Sequence, residues 1–160
     1  MSDLMASYGH YHRHPLNRLT HFVGVPVIVF AVVLALSEIP TGAGLPLVAI
    51  LASAATVAYY VSLDRGLGLA LGLVFLVMLW GASAFSGFGH EAALITAAIL
   101  FVGGWIVQIL GHMIEGNRPA LLDNLLQIVV APLFLAAELG FALGWGGGLK
   151  REVEARLQSS

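Results

Sequence analysis

Two short polar stretches hold most of the chemistry-bearing side chains. "YHRHPLNRLTH" (11–21) carries His12, His14 and His21, and "GHMIEGNRPALLDN" (111–124) carries His112 and Glu115. Neutral imidazole is a ligand for Zn, Cu, Fe and Ni, and a carboxylate adds a harder oxygen donor. Pro15 suits the first turn of a helix, where its missing N–H costs nothing. From there His14, Asn17 and His21 fall on one helical face, and Gln108, His112 and Glu115 share a face of another. His12 precedes the first helix, where a loop can fold it over the site. "GNRP" ends the second helix, with Gly116 or Asn117 near the cap and Pro119 beyond it. A single His-x-x-Glu pair, rather than two, points to one metal ion instead of a di-metal bundle site. Histidines from two helices plus Glu115 would leave that ion open on one side, as oxygen activation by non-haem iron requires.

Such a site needs elements that bring residues 21 and 112 together. The chain has 160 residues, 59% hydrophobic and only 10% charged, with a mean hydropathy of +0.91. Apolar runs of about 18 or more residues read as membrane spans. The expected fold is all-α: a polytopic membrane helical bundle forming one integral membrane domain. Four runs cover Phe22–Ser37, Leu45–Leu63, Leu67–Phe85 and Ala92–Ile114, after a polar, His-rich lead-in over 1–21. The first run is short, so its helix is expected to begin inside the polar motif. A fifth apolar region, Leu121–Trp145, contains Asp123, Asn124, Gln127, Pro132 and Glu138. It reads as a broken re-entrant or interfacial hairpin, with a fifth span as the alternative. Residues 149–160 form a polar tail.

Positive charge chooses between those two. With four crossings, Arg13, Arg18, Arg65, Arg118, Lys150, Arg151 and Arg156 all share one side, while the other side carries Glu38, His90 and Glu91. That distribution obeys the positive-inside rule and sets both termini in the cytoplasm. It also places the start of the first span and the end of the fourth at the same membrane face, so the two polar stretches can meet at one mouth. No cleavable signal peptide is expected. The absence of cysteine excludes thiolate ligands and disulfides, and a net charge of −2 offers nucleic acid no electrostatic footing.

Simpler roles compete for individual residues. His10 and His90 read as interfacial anchors in Gly-rich loops. Glu115 can pair with Arg118 three residues on. Asn17, Gln108 and Gln127 can hydrogen-bond between helices. Glu138 is costly against lipid, so it faces the cavity or snorkels. Gly68 and Gly72, and Gly140 and Gly144, have the four-residue spacing that lets helices approach closely, and such faces permit a homodimer.

Together, "YHRHPLNRLTHFVGVP", "QILGHMIEGNRPALLDN" and "APLFLAAELGF" resemble the integral-membrane 2-hydroxy fatty acid dioxygenases, from about Tyr8 to Trp145. The resemblance implies iron(II)-dependent α-oxidation, in which a long-chain 2-hydroxy fatty acid and O2 give a fatty acid one carbon shorter. It implies that His12, His21 and His112 are the motif histidines, and that Asn17, Glu115, Asn117 and Pro119 occupy motif positions. Helical phase favours His14 over His12, so both stay candidates. The short loops look like those of a bacterial relative, expected in the inner membrane. The substrate tail would lie among the spans and its carboxylate at the mouth, where Arg13, Arg18 or Arg118 could pair with it. Asn117 and Gln108 are further substrate-contact candidates, and Glu115 and Asn17 the catalytic candidates, with Glu115 either a ligand or the group orienting His112. The alternatives are a zinc-dependent membrane hydrolase with Glu115 as general base, a proton-coupled transporter, and a structural bundle.

Overall fold

The structure is a computed structural model describing residues 15–42, 44–116 and 126–144. Among the described residues it is all-α, with five helices: α1 (Pro15–Ser37), α2 (Leu47–Leu63), α3 (Arg65–Ser86), α4 (His90–Glu115) and α5 (Leu126–Ala142). As expected, α1 starts at Pro15, seven residues before its apolar run. It continues through Pro26. A proline inside a membrane helix is tolerated where neighbouring groups re-satisfy the freed carbonyl.

The helix ends follow local chemistry. Asp64 alone joins α2 to α3, and its side chain caps α3 by accepting from the Leu67 N–H at 2.9 Å. Gly116 ends α4 in the left-handed region (φ 77°), with its N–H donating to the carbonyls of His112 (3.0 Å) and Met113 (3.3 Å).

Side-chain contacts fix the directions of the helices. His21 meets His112, and Gly24 meets Gly104 and Gln108, so α1 and α4 run antiparallel. Phe30 packs on Gly81 and Phe85, and Glu38 is bonded by Ser86, so α1 and α3 run parallel. The helix joining them, α2, therefore runs from one end of the bundle to the other. One end gathers the start of α1, the end of α2, the start of α3 and the end of α4. At the opposite end Glu38 accepts from Ser86 and sits 2.7 Å from Nδ1 of His90. His90, read from sequence as a lone interfacial anchor, is thus the partner of Glu38. Arg18 and Arg65 lie at the first end and Glu38 and His90 at the second, as the charge pattern anticipates.

Three helices, α1, α3 and α4 up to Ile114, are long and apolar enough to cross a membrane; this is a membrane protein. At 17 residues, α2 and α5 are shorter. The broken hairpin expected over 121–145 differs from what is seen: α5 is one continuous helix through Pro132. The reason is burial. Ala131, Leu133, Phe134 and Ala137 are all buried in the central apolar cluster with Leu34 and Tyr60, and that packing outweighs one lost backbone hydrogen bond.

Candidate functional site

The crossing of α1 and α4 sets the site. Gly111 and Gly104 have no side chain, and the space their Cβ atoms would fill is already taken. At Gly111 a Cβ would lie 2.5 Å from Asn17 Oδ1 and closer still to Thr20 Oγ1. At Gly104 it would lie 2.6 Å from the Ile28 side chain. This near-contact of two helix backbones puts polar side chains of both helices into one sealed layer. Asn17 is fully buried (0% exposed), His21 is 4% exposed and His112 5%.

The two imidazoles meet edge to face, with centroids 4.9 Å apart and planes at 89°. His21 Nδ1 lies 2.8 Å from the carbonyl oxygen of Asn17, one turn back. A carbonyl only accepts, so Nδ1 carries the proton and donates, and in the neutral ring the lone pair then belongs to Nε2. The same carbonyl accepts from the Thr20 hydroxyl at 2.7 Å. Backbone carbonyls commonly hold metal-ligating histidines in this tautomer. Metal–nitrogen bonds of about 2.0–2.1 Å would place two imidazoles sharing one ion with centroids about 4.5–5.2 Å apart. The observed centroid separation falls inside that window, so the pair has the donor type and spacing to supply two ligands of a metal ion. Among the described residues no group of three or more His, Asp or Glu side chains that could hold a metal is found.

Not every expected residue can be placed. His12, Arg13, His14, Asn117 and Arg118 lie outside the described residues, as does the side chain of Glu115. Gln108 is buried against Gly24, at the α1–α4 contact one turn from His112. Arg18, expected to receive a substrate carboxylate, instead makes a two-point ion pair with Glu138 of α5. Its Nη2 meets Oε1, and its Nε donates to Oε2 at 3.3 Å. That partnership joins residues 120 positions apart, and no periodicity reveals it. The only hint in the sequence is a carboxylate placed within an apolar helix. At its other end α5 is tied by the Tyr60 hydroxyl, which donates to the Val129 carbonyl at 2.6 Å. Both ties sit at the histidine end of the bundle.

Residues 1–143 match a family model described as 2-hydroxy-palmitic acid dioxygenase Mpo1-like. The chain is 34% identical over 156 residues to the 2-hydroxy-palmitic acid dioxygenase MPO1 of Saccharomyces cerevisiae, covering 94% of this chain and 86% of the yeast protein. No solved structure matches it.

Proposed function

Because the chain belongs to the Mpo1-like 2-hydroxy-palmitic acid dioxygenase family, we propose that it converts a long-chain 2-hydroxy fatty acid and O2 into the acid one carbon shorter, at a single iron(II) held by His21 and His112. In a balanced equation the remaining carbon leaves as carbon dioxide, with one water. The observation that carries this reading is the buried 4.9 Å imidazole pair, with His21 fixed in the ligand-ready tautomer by the Asn17 carbonyl. Iron bound there supplies the reactivity toward O2 that no amino-acid side chain has. The remaining ligands come from His12, His14 or Glu115, which the motif order brings to the same mouth.

The protein's own groups do the rest. Asn17 and Thr20 hold His21 in place. The glycine crossing excludes water from the imidazole layer, which strengthens every charge interaction inside it. The arginines of the mouth, among them Arg18, Arg13 and Arg118, orient the substrate carboxylate, while its chain lies in the bilayer. Family membership leaves the hydrolase, transporter and scaffold readings without support.

We further infer four crossings and a cytoplasmic mouth. Since α1 and α3 run parallel and α2 joins them end to end, α2 crosses too, although its 17 residues span only about 25 Å. Val129 and Glu138 are both tied at the histidine end, which supports an α5 that stays at that face. The chain then forms a single integral domain in a cell membrane.

The test is oxygen uptake by the purified protein with iron. The proposal predicts uptake with 2-hydroxypalmitate, release of a fifteen-carbon acid, and no uptake with palmitate. Equal rates with both acids, or none with either, would overturn it.

A further inference from the structure

The Arg18–Glu138 pair has a position that packing alone does not require. Arg18 lies within the turn that runs from Asn17 to His21, the turn closed by the His21 Nδ1–Asn17 carbonyl bond. Arg18 thus shares a helical turn with Asn17 and His21, and its guanidinium reaches from that turn to Glu138 of α5. The described residues contain one other cation, Arg65, at the start of α3. Arg18 presents the planar fork that pairs two-point with a carboxylate, and a carboxylate already fills it. Glu138 is the one charged residue of α5, and its neighbours Leu135 and Ala137 are buried. An ionisable group in such a helix is expensive, and it calls for a function. The two partners are unequally placed. The Glu138 side chain is 12% exposed and that of Arg18 46% exposed, so Arg18 is the more accessible partner of the pair.

We propose that Glu138 is a built-in stand-in for the substrate's carboxylate: it occupies the Arg18 fork in the substrate-free enzyme and yields it when the fatty acid arrives. This rests on the reading of the site as one for 2-hydroxy fatty acids. Binding is then an exchange of one carboxylate for another. The guanidinium is never left without a counter-charge, and α5 is released from α1 at its C-terminal end while the Tyr60–Val129 tie keeps its other end in place. Glu138 is a positioning residue, acting through Arg18. It discriminates against ligands without a carboxylate, which cannot displace it. Its cost is a weaker affinity for the acid, because the ligand competes with an internal group.

The experiment measures palmitate binding to the full-length protein in detergent micelles, using a ligand that carries the carboxylate and is not turned over. In Glu138→Gln the internal competitor loses its charge, and palmitate binds about two- to fivefold more tightly than in wild type, the range expected for freeing a partly exposed ion pair. Palmitamide, which lacks the charge, shows no such gain. KM for 2-hydroxypalmitate falls by a similar factor and kcat is retained. A pair that only staples α5 to α1 gives the opposite signature, with unchanged or weaker binding and a lower kcat; that result overturns the proposal. Glu138→Met serves as a second variant suited to an apolar helix. Loss of the folded protein in both variants would also overturn the proposal, since an exchangeable pair cannot be essential to the fold. Palmitate binding does not depend on turnover. A failed oxygen assay with tightened palmitate binding therefore refutes the dioxygenase reading alone, and normal turnover with unchanged binding refutes the exchange alone.

Discussion

Replacing Gly111 with alanine tests how the imidazole layer is held. The added methyl carbon would sit 2.5 Å from Asn17 Oδ1 and 3.1 Å from Thr20 Cβ, with Thr20 Oγ1 nearer than either. Neither neighbour can retreat easily. Asn17 is fully buried, and the Thr20 hydroxyl is committed to the Asn17 carbonyl. Ordinary carbon contacts need about 3.5–4.0 Å, so α1 and α4 must separate locally by roughly 1 Å. Overpacking of this kind costs about 1–3 kcal/mol, of which the better helix propensity of alanine returns about 1 kcal/mol. The net loss of stability is modest, but the displacement falls between Asn17, which orients His21, and His112. Misplacing reacting groups by about 1 Å can cost on the order of a hundredfold in rate. The expected signature is a drop of about 10- to 100-fold in oxygen uptake, with a small fall in unfolding temperature. Gly103→Ala is the internal control: it lies on the same helix, and its Cβ would meet nothing within 4 Å, so activity stays at the wild-type level. Gly111→Ala within twofold of wild type, or a Gly103→Ala as damaging, would refute the claim that the helix crossing sets the imidazole geometry.

Other substitutions have simpler outcomes. Gly68→Ala places a carbon 2.6 Å from the Val61 Cα and 2.7 Å from the Tyr60 carbonyl carbon. Backbone atoms cannot step aside, so this variant should be among the least stable, read as loss of monodisperse protein in detergent. Asp64→Ala removes the side-chain acceptor for Leu67 N–H and should lower stability by about 1 kcal/mol without changing KM, while Asp64→Asn retains most of it.

What could be read from the sequence was local or followed from parity. Pro15 and Gly116 bound their helices because a first-turn proline and a left-handed glycine cap act within a few residues. The meeting of His21 and His112 was expected from the count of apolar runs, since four crossings would return the end of the fourth to the face where the first begins. Gly68 behaves as its spacing suggested. Gly144 does not: it has φ 82° just beyond α5 and open space around its Cβ, so it terminates a helix instead of packing against one. The close approach at Gly104 and Gly111 carried no signal, because small residues in an apolar run look alike until a partner helix is known. The Arg18–Glu138 pair was equally hidden, since two charges 120 residues apart share no periodicity. The unbroken course of α5 through Pro132 depends on tertiary burial that outweighs a local preference.

The central claim is that His21 and His112 hold one catalytic iron, and metal content tests it most directly. Purified wild-type protein should carry about one iron per chain after anaerobic loading, and both His21→Ala and His112→Ala should lose it while keeping their helix content. Iron retained at the wild-type level in either variant would contradict the account.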